Sequence, residues 1–362
     1  MPLRAILDGK DFISIYQDDN QWNLLKSKIQ SNDSVLQLSC CKQKGFLRIS
    51  KNGLKHFVHA RSKEVCNWEP ESQEHLKAKI DIIESCDEHG WTAIPEYSES
   101  NWRADVLAIK GDVRIAFEVQ WSRQTLEETK FRQERYKKSN VRGCWFFRIA
   151  PKELRVFDED YLIADNTIPA FRIFKQDDEH IFAQLNQQQL PLKFLVGKLL
   201  NRKLKICNKT KAQSPQNVEI IFFKTNCWKC DKTQYLWTVE RNLISKCNEK
   251  MTTMSMMWNN KDFDKNAAVY EAVRKFTASK DGEGIKIGEL KFRHSKTTNQ
   301  SYLSHGCYYC DALFGDFFVS EEKLHNYYDT TNIRHNAIVN IDDYSESDSH
   351  WCYSEIGDFC EK

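Results

Sequence analysis

Short runs in which apolar residues recur at every second position characterise the start of the chain. Val35-Leu36-Gln37-Leu38 and Phe46-Leu47-Arg48-Ile49 follow this pattern, which is typical of strands with one buried face. The pattern predicts a small N-terminal β unit over residues 1–70.

The apolar period then lengthens to that of a helix. A helix is predicted from Glu71 to His89, and Gly90 follows it at the position where helix ends favour glycine. With about 100° of rotation per residue, one broad stripe contains its apolar residues, which are Leu76, Ile80, Ile82, Ile83 and Cys86.

Two ionisable residues, His75 and Lys79, lie inside this apolar stripe, and Glu71 lies at its edge. Charged and polar groups enter a core only with partners, which favours a functional role for His75 over a purely structural one. For Lys79 the alternative is equally good: its side chain would lie at the margin of the stripe and reach water.

A hairpin is predicted between Arg103 and Trp121, because two apolar-rich runs flank Gly111-Asp112, a sequence typical of a two-residue turn. If these two residues form the turn, Lys110 pairs with Val113. The same register then places Asp105 directly opposite Glu118.

Opposed carboxylates repel each other at a separation of about 5 Å unless a cation or a proton lies between them. This arrangement favours a divalent metal ion bound by Asp105 and Glu118. Because side chains alternate along a strand, Gln120 shares the face of Glu118. The opposite face, directed to a core, carries Ile115, Phe117 and Val119.

A second helix is predicted from Ser122 to Lys138, with a capping box formed by Thr125 and Glu128. Its basic residues either bind phosphate groups or form a solvated face; they are Lys130, Arg132, Arg135, Lys137 and Lys138. A largely buried strand follows at Val141–Arg148. The predicted order is therefore helix, strand, strand, helix, strand.

Signals weaken after this strand. A helix is predicted near Leu192–Arg202, and the polar stretch 208–217 is interpreted as a linker before β structure resumes at Val218–Phe223. The expected domain boundaries are 1–70 for the β unit, 71–165 for the α/β core, 166–217 for a helical connector and linker, 218–330 for a C-terminal β-rich domain, and 331–362 for an acidic tail.

Charge is distributed unevenly along the 362 residues. Positions 331–362 carry seven acidic and two basic residues, which leaves 51 basic and 44 acidic residues in positions 1–330. A mildly basic body is compatible with a nucleic-acid partner, although simple solvation explains the same balance. The predicted acidic tail would offset this charge and dock on the body.

The chain contains 13 cysteines and no apolar run of the roughly 20 residues that a membrane helix needs. We therefore expect a cytoplasmic protein without membrane contact, in which cysteines are metal ligands or buried thiols rather than disulfides. Two C-x₂-C pairs supply four thiolates for one structural Zn²⁺, and a redox pair is the alternative. The four candidate ligands are Cys227, Cys230, Cys307 and Cys310.

A second zinc site is a hypothesis for the N-terminal unit. Cys40 and Cys41 are adjacent, and vicinal cysteines rarely bind one ion together, so at most one of them is expected to be a ligand. The candidate set is Cys41, His59 and Cys66, and a purely structural role for the histidine is the alternative.

These motifs together resemble the nuclease-like domain of the competence protein CoiA family, which is similar to the PD-(D/E)XK, or restriction-endonuclease-like, nuclease superfamily. The resemblance covers about residues 35–150. It depends on Asp105, Glu118-x-Gln120, Glu71-Ser-x-x-His75-x-x-x-Lys79, the Arg132-Gln-x-Arg-Tyr136 segment and His56-Phe-Val-His59.

The resemblance implies an α+β fold with an αβββαβ core and a Mg²⁺ or Mn²⁺ site at Asp105 and Glu118. It also implies that Glu71 and His75 complete that site. Gln120 occupies the place of a lysine found in many members of the superfamily. A glutamine cannot take a proton from water, so its expected role, shared with His75, is to orient the attacking water. Lys79, Arg132 and Arg135 are candidate phosphate ligands.

The expected function is metal-dependent hydrolysis of DNA phosphodiester bonds, in DNA uptake and processing or in phage defence. Two alternatives use the same residues. One is a catalytically weak or inactive scaffold that binds nucleic acid, and the other is an RNA nuclease. The oligomeric state is left open by the sequence.

Overall fold

The structure is a computed structural model. It describes residues 2–59, 66, 71–155, 161–176, 180–240, 243–247, 261–326, 329–342, 345–346 and 349–361. The chain divides into two compact units. Unit 1 comprises Met1–Ile206 with Ser349–Gly357, and unit 2 comprises Cys207–Asp348 with Asp358–Lys362.

Helices occur in both units. They are α1 (Asp19–Gln30), α2 (Gln73–Glu88), α3 (Leu126–Lys138), α4 (Leu192–Leu200), α5 (Lys261–Asp264), α6 (Ala267–Thr277) and α7 (Asp316–Asn326), with short 3₁₀ helices at Ser14–Tyr16 and Lys152–Leu154. Within the described part of the chain, none of these helices is long and apolar enough to cross a membrane.

Strands are numbered in chain order. They are β1 (Arg4–Leu7), β2 (Lys10–Ile13), β3 (Leu36–Leu38), β4 (Gly45–Ile49), β5 (Lys55–His59), β6 (Thr92–Ser98), β7 (Arg103–Lys110), β8 (Val113–Gln120), β9 (Arg142–Phe147), β10 (Ala170–Lys175), β11 (Ile181–Leu185), β12 (Gln188–Pro191), β13 (Leu204–Cys207), β14 (Thr210–Lys211), β15 (Gln216–Asn226), β16 (Thr233–Glu240), β17 (Lys291–Ser295), β18 (Gln300–Gly306), β19 (Leu313–Phe314), β20 (Ile333–Val339), β21 (Ser345–Glu346) and β22 (His350–Tyr353).

A seven-stranded sheet forms the centre of unit 1, in the order β12-β11-β10-β9-β8-β7-β6. β8, β9 and β10 run parallel, and their outer neighbours pair antiparallel. One face packs on α2 and α4 through an apolar layer that includes Leu76, Phe117 and Leu195. The other face packs under α3, where Tyr136 and Trp145 are fully buried. The prediction of a mixed α and β fold is confirmed.

The core follows the predicted element order with one addition. The helix predicted from Glu71 begins at Gln73, because the Ser72 side chain caps it by accepting a hydrogen bond from the His75 N–H at 3.2 Å. Glu71 therefore lies just before the helix. The added strand is β6, so the order from α2 onward is helix, three strands, helix, strand.

The N-terminal residues form the predicted β unit together with α1. Its core contains Trp22 and Phe57, whose ring centroids are 5.5 Å apart, and the buried side chains of Leu36 and Leu38. The backbone N–H of Leu3 donates to Glu96 Oε1 at 3.1 Å, which ties the start of the chain to the edge strand β6 of the central sheet.

Two segments differ from the expected organisation. Residues 166–217, expected to connect two domains, supply β10, β11, β12 and α4 to unit 1, because Phe171 and Ile173 alternate into its core. Much of the expected acidic tail is also built into strands: β20 extends a sheet of unit 2, and Trp351 on β22 packs 5.0 Å from Phe171. The tail residues Asp343, Asp348 and Lys362 lie outside the described residues.

Unit 2 contains the predicted β-rich region. β15 pairs with β16 on one side and β20 on the other, and α6 covers an apolar layer that includes Phe222 and Trp237. A second sheet has the order β17-β18-β19.

Candidate active site

The hairpin between β7 and β8 has the predicted register. Lys110 pairs with Val113, and the ladder continues to Val106 opposite Phe117. Gly111 takes a positive φ of 55°, a backbone conformation that glycine adopts without steric cost. The ladder ends at Val106 and Phe117, so the predicted direct opposition of Asp105 and Glu118 is not part of it; Asp105 instead accepts the Val119 N–H with its side chain.

Asp105 turns towards α2. Its Oδ2 accepts a hydrogen bond of 2.8 Å from the Val119 N–H and lies 3.4 Å from His75 Nε2. Burial opposes ionisation of this carboxyl group. His75, Lys79 and the Val119 N–H outweigh burial, and they hold the pKa of Asp105 below its usual range. Asp105 is therefore a buried hydrogen-bond acceptor whose surroundings favour its ionised form.

Three of the predicted catalytic residues come together at this point. Glu71, His75 and Asp105 each offer one ligand atom, and the three atoms lie within 4.8 Å of one another. His75 Nε2 is buried and makes no hydrogen bond with any described residue. Two carboxylates and one imidazole are a donor set that divalent metal ions accept.

Lys79 contacts one member of this group, Glu71. It is fully buried, and its Nζ lies 3.1 Å from Glu71 Oε2 and contacts Glu96 Oε1. Burial alone would lower the pKa of Lys79, but Glu96, Glu71 and Asp105 raise it above its ordinary value. The predicted phosphate ligand is thus an internal cation that is shared by two carboxylates.

Glu96 is a part of the site that sequence reasoning missed. It lies within β6 at a φ of +45°, an uncommon conformation for a residue other than glycine. Its carboxylate also accepts the backbone N–H groups of Leu3 and Arg4 at 2.9–3.2 Å. Pro95 and the polar residues of this segment conceal the strand pattern, so the sequence carries little signal for Glu96.

Glu118 lies outside the group of Glu71, His75 and Asp105. Its neighbour Ala116 on β8 belongs to the core under α3, and its carboxylate contacts Arg132 and the Tyr136 hydroxyl on that helix. Burial raises the pKa of Glu118 to about 8, and Asp105 adds to this effect while Arg132 and Tyr136 oppose it. The side chain is fully buried.

Of the remaining predicted residues, Arg132 contacts Glu118, whereas Arg135 and Gln120 make other contacts. Arg132 keeps 31% of its side chain exposed, and its guanidinium lies 5.1 Å from the Trp145 ring centroid. Arg135 stacks on Phe131 at 4.1 Å. Gln120 is half-buried at the end of β8, where its carbonyl oxygen accepts the Arg148 N–H at 2.9 Å.

The four cysteines of the two C-x₂-C pairs meet in unit 2. Their sulfur atoms lie within 4.8 Å of one another, and the Sγ atoms of Cys227 and Cys310, and of Cys230 and Cys307, are 3.7 Å apart. Tetrahedral bonds of 2.3 Å to zinc place sulfur atoms about 3.8 Å apart, so the spacing fits a four-thiolate zinc site.

The two pairs form matching knuckles. The Lys229 N–H lies 3.4 Å from Cys227 Sγ, and the Tyr309 N–H lies 3.3 Å from Cys307 Sγ. Burial opposes thiolate formation at both knuckles. Backbone N–H groups lower the pKa of Cys227 to about 7, whereas burial raises the pKa of Cys307 to about 12 although it has equivalent N–H groups. Such N–H groups stabilise thiolates and hence metal ligation.

The N-terminal ligand group is larger than expected. Cys40, Cys41, His59 and Cys66 lie within 4.8 Å of one another. Cys40, which the sequence analysis left out of the candidate set, lies 3.2 Å from His59 Nε2 and 3.7 Å from Cys66 Sγ. The adjacent cysteines thus both reach this group, and Cys40 Sγ lies within contact distance of the histidine.

The fold and the site define an α/β domain with a buried carboxylate and imidazole group at one end of its sheet. Residues 71–193 match the protein family described as competence protein CoiA, nuclease-like domain, which confirms the family resemblance for the motifs from Glu71 to Tyr136. The predicted resemblance began near residue 35, and His56-Phe-Val-His59 lies outside the matched residues. The match runs past residue 165, the predicted end of the core, and reaches α4. A comparison with curated proteins found no match.

Proposed function

We propose that the chain is a metal-dependent nuclease that hydrolyses DNA phosphodiester bonds. The observation that carries this proposal is the meeting of Glu71, His75 and Asp105 within 4.8 Å, inside the segment that matches a nuclease-like domain. The family name links this domain to competence, which supports DNA uptake or processing as the context.

The residues fit a divalent metal ion. His75 Nε2 is buried without a hydrogen-bond partner among the described residues, and two carboxylates surround it. Carboxylate oxygens are preferred ligands of Mg²⁺ and Mn²⁺. When bound, such an ion supplies charge neutralisation at the scissile phosphate and lowers the pKa of a coordinated water molecule.

Side chains and backbone groups of the protein orient the proposed metal ligands and the attacking water. The surroundings of Asp105 favour its ionised form, and the Val119 N–H fixes its orientation. Lys79 fixes Glu71. Gln120, whose amide donates and accepts hydrogen bonds without taking a proton, orients the attacking water.

Under this proposal Glu118 is a third carboxylate, which contacts Arg132 and lies outside the group of Glu71, His75 and Asp105. Arg132 holds it in the absence of substrate, and the partly exposed guanidinium then binds the phosphate, for which its planar fork is suited. Exchange of Arg132 between carboxylate and phosphate would couple substrate binding to the completion of the site.

We also propose structural Zn²⁺ at Cys227, Cys230, Cys307 and Cys310. The sulfur spacing of 3.7 Å and the N–H groups directed at two of the sulfur atoms support this assignment. Four thiolates leave no open coordination position, so the ion would stabilise unit 2 rather than catalyse a reaction.

A second candidate function is a scaffold that binds nucleic acid without cleaving it. The pairing of Glu118 with Arg132, together with a glutamine at position 120, favours this alternative, because neither supplies a base or a free metal ligand. The two functions differ in whether any phosphodiester bond is broken.

Cleavage assays with Mg²⁺ or Mn²⁺ on single-stranded DNA, duplex DNA and RNA test the proposal. We expect cleavage of DNA, and its loss in Asp105→Ala with nucleic-acid binding retained. Asp112→Ala, which changes an exposed carboxylate in the hairpin turn, is the matched control and should keep activity. Binding without cleavage of any substrate would favour the scaffold, and cleavage of RNA alone would identify an RNA nuclease.

A further inference from the structure

Large aromatic side chains are exposed around the four-cysteine group of unit 2. Trp228, which follows Cys227, is 67% exposed, and Tyr308, which follows Cys307, is 54% exposed. Phe317 on α7 is 61% exposed. Single exposed rings are common on protein surfaces, but several large rings exposed close together form a patch of the kind that marks an interaction site.

Two of these rings line an open cleft of about 1040 Å³ in unit 2. The cleft residues used below are Trp228, Phe317, Lys229, His294 and Lys296. The indole N–H of Trp228 donates to the Leu313 carbonyl oxygen at 2.9 Å, so the exposed ring is held in one orientation. A fixed ring loses little entropy when a ligand stacks on it.

The charge of the cleft is positive. Two lysines, Lys229 and Lys296, are exposed at its wall, and the His294 imidazole is exposed beside them. The acidic side chain that lines it, Asp316, lies 2.8 Å from Lys265 and is neutralised by that pair. The cleft therefore favours a negatively charged ligand over a positively charged one.

The second knuckle repeats the same combination of rings and lysines. The Tyr308 and Tyr309 rings are 5.1 Å apart, and the Nζ atoms of Lys232 and Lys286 lie 4.9 and 5.5 Å from the Tyr309 centroid. Both knuckles contribute to one four-cysteine group, so the two sets of rings belong to one region of unit 2.

We propose that this cleft and the adjoining knuckle surface of unit 2 bind single-stranded nucleic acid. Bases would stack on Trp228 and Phe317, and phosphates would pair with Lys229 and Lys296. Stacking on side chains requires bases that are not already stacked in a duplex, which selects single strands. The interleaving of rings with lysines matches an alternating polymer of bases and phosphates better than it matches an apolar protein surface.

This inference goes beyond the proposed nuclease, because binding by unit 2 needs none of the residues assigned to cleavage. Fluorescence anisotropy of the full-length protein, without added Mg²⁺ or Mn²⁺, measures it directly. The probes are a labelled 20-nucleotide oligothymidylate, an oligouridylate of the same length and a DNA duplex of the same length.

We expect tighter binding of at least one single strand than of the duplex. Trp228→Ala and Phe317→Ala should each weaken that binding by about ten-fold, the usual effect of losing one stacking ring. Phe292→Ala is the matched control, because Phe292 is 72% exposed in the same unit and lies outside the cleft lining. Zinc content and melting temperature show whether each variant is folded.

Charge-reversal variants provide a second test of binding. Lys229→Glu and Lys296→Glu should weaken binding and reduce the dependence of affinity on salt concentration, since each removes a phosphate contact. Equal binding of duplex and single strands, equal losses in Trp228→Ala and Phe292→Ala, or no binding by the wild-type chain would overturn the inference. Asp105→Ala should keep this binding, so failure of the nuclease proposal and failure of this inference are distinguishable.

Discussion

The buried ammonium group of Lys79 lies 3.1 Å from the carboxylate of Glu71, a residue that stands just outside the helix on which Lys79 lies. The same ammonium contacts Glu96 on β6. One cation therefore fixes the residue before α2 and the edge strand of the sheet relative to each other. The position of Glu71 beside His75 depends on this internal pairing.

Lys79→Met should destabilise the protein by about 3–5 kcal/mol, because it leaves two buried carboxylates without their cation. Lys193→Met is the control: Lys193 is partly exposed and pairs with Glu84 and Glu88, whose side chains are about half exposed, so it should cost less than about 1 kcal/mol. Urea denaturation measures both. Equal losses of unfolding free energy would show that the pairing of Lys79 with Glu71 and Glu96 is not what stabilises the site.

Tyr136→Phe should lower the stability by about 1–3 kcal/mol, since Glu118 and the Arg103 carbonyl oxygen lose a buried hydroxyl partner. Under the proposed function it should also slow DNA cleavage, because Glu118 would lose part of its support. Tyr97→Phe, which removes a hydroxyl group 3.2 Å from Glu99, is the matched control. A Tyr136→Phe variant as active and stable as the control would exclude this supporting role.

Cys307→Ala should remove about one zinc ion per chain and lower the melting temperature, because three thiolates remain at a site that needs four. Cys144→Ala replaces a buried thiol of β9 that belongs to none of the ligand groups described above, and it should keep the metal content unchanged. Elemental analysis of the purified variants is the measurement. A protein without zinc, or one that keeps all of its zinc in Cys307→Ala, would contradict the assignment.

Cys40→Ala should reduce metal binding by the N-terminal group more than Cys41→Ala, because Cys40 Sγ is the sulfur in contact with His59 Nε2. Titration with Co²⁺, followed by the absorption of its thiolate complexes, compares the two variants. A larger loss in Cys41→Ala would support the original candidate set instead.

Local patterns predicted much of the active-site region. The two-residue turn at Gly111-Asp112 fixed the register of the hairpin, since pairing distances follow directly from the turn. Helical periodicity placed His75 and Lys79 on the buried side of α2, and both are directed to the site. The spacing of the C-x₂-C pairs indicated which cysteines would meet.

Contacts between residues that are far apart in the sequence could not be predicted from such local patterns. The pairing of Glu118 with Arg132 and Tyr136 depends on how α3 packs on the sheet, which no single-segment pattern encodes. The position of the Glu96 side chain depends on an irregularity in β6, where Glu96 itself has a positive φ. Net charge also suggested a separate acidic tail that docks on the body, whereas the apolar side chains that alternate in β20 and the burial of Trp351 decide where those residues lie.

The four-cysteine group of unit 2 joins points that are far apart along the chain: Cys227 and Cys310 are separated by 83 residues. During synthesis the first knuckle leaves the ribosome long before the second, so the complete set of ligands exists only after most of unit 2 has been translated. Closing so long a loop is slow and entropically unfavourable. Metal capture would therefore be a late event in the folding of unit 2, and zinc supply would determine how much of the newly made chain completes that unit.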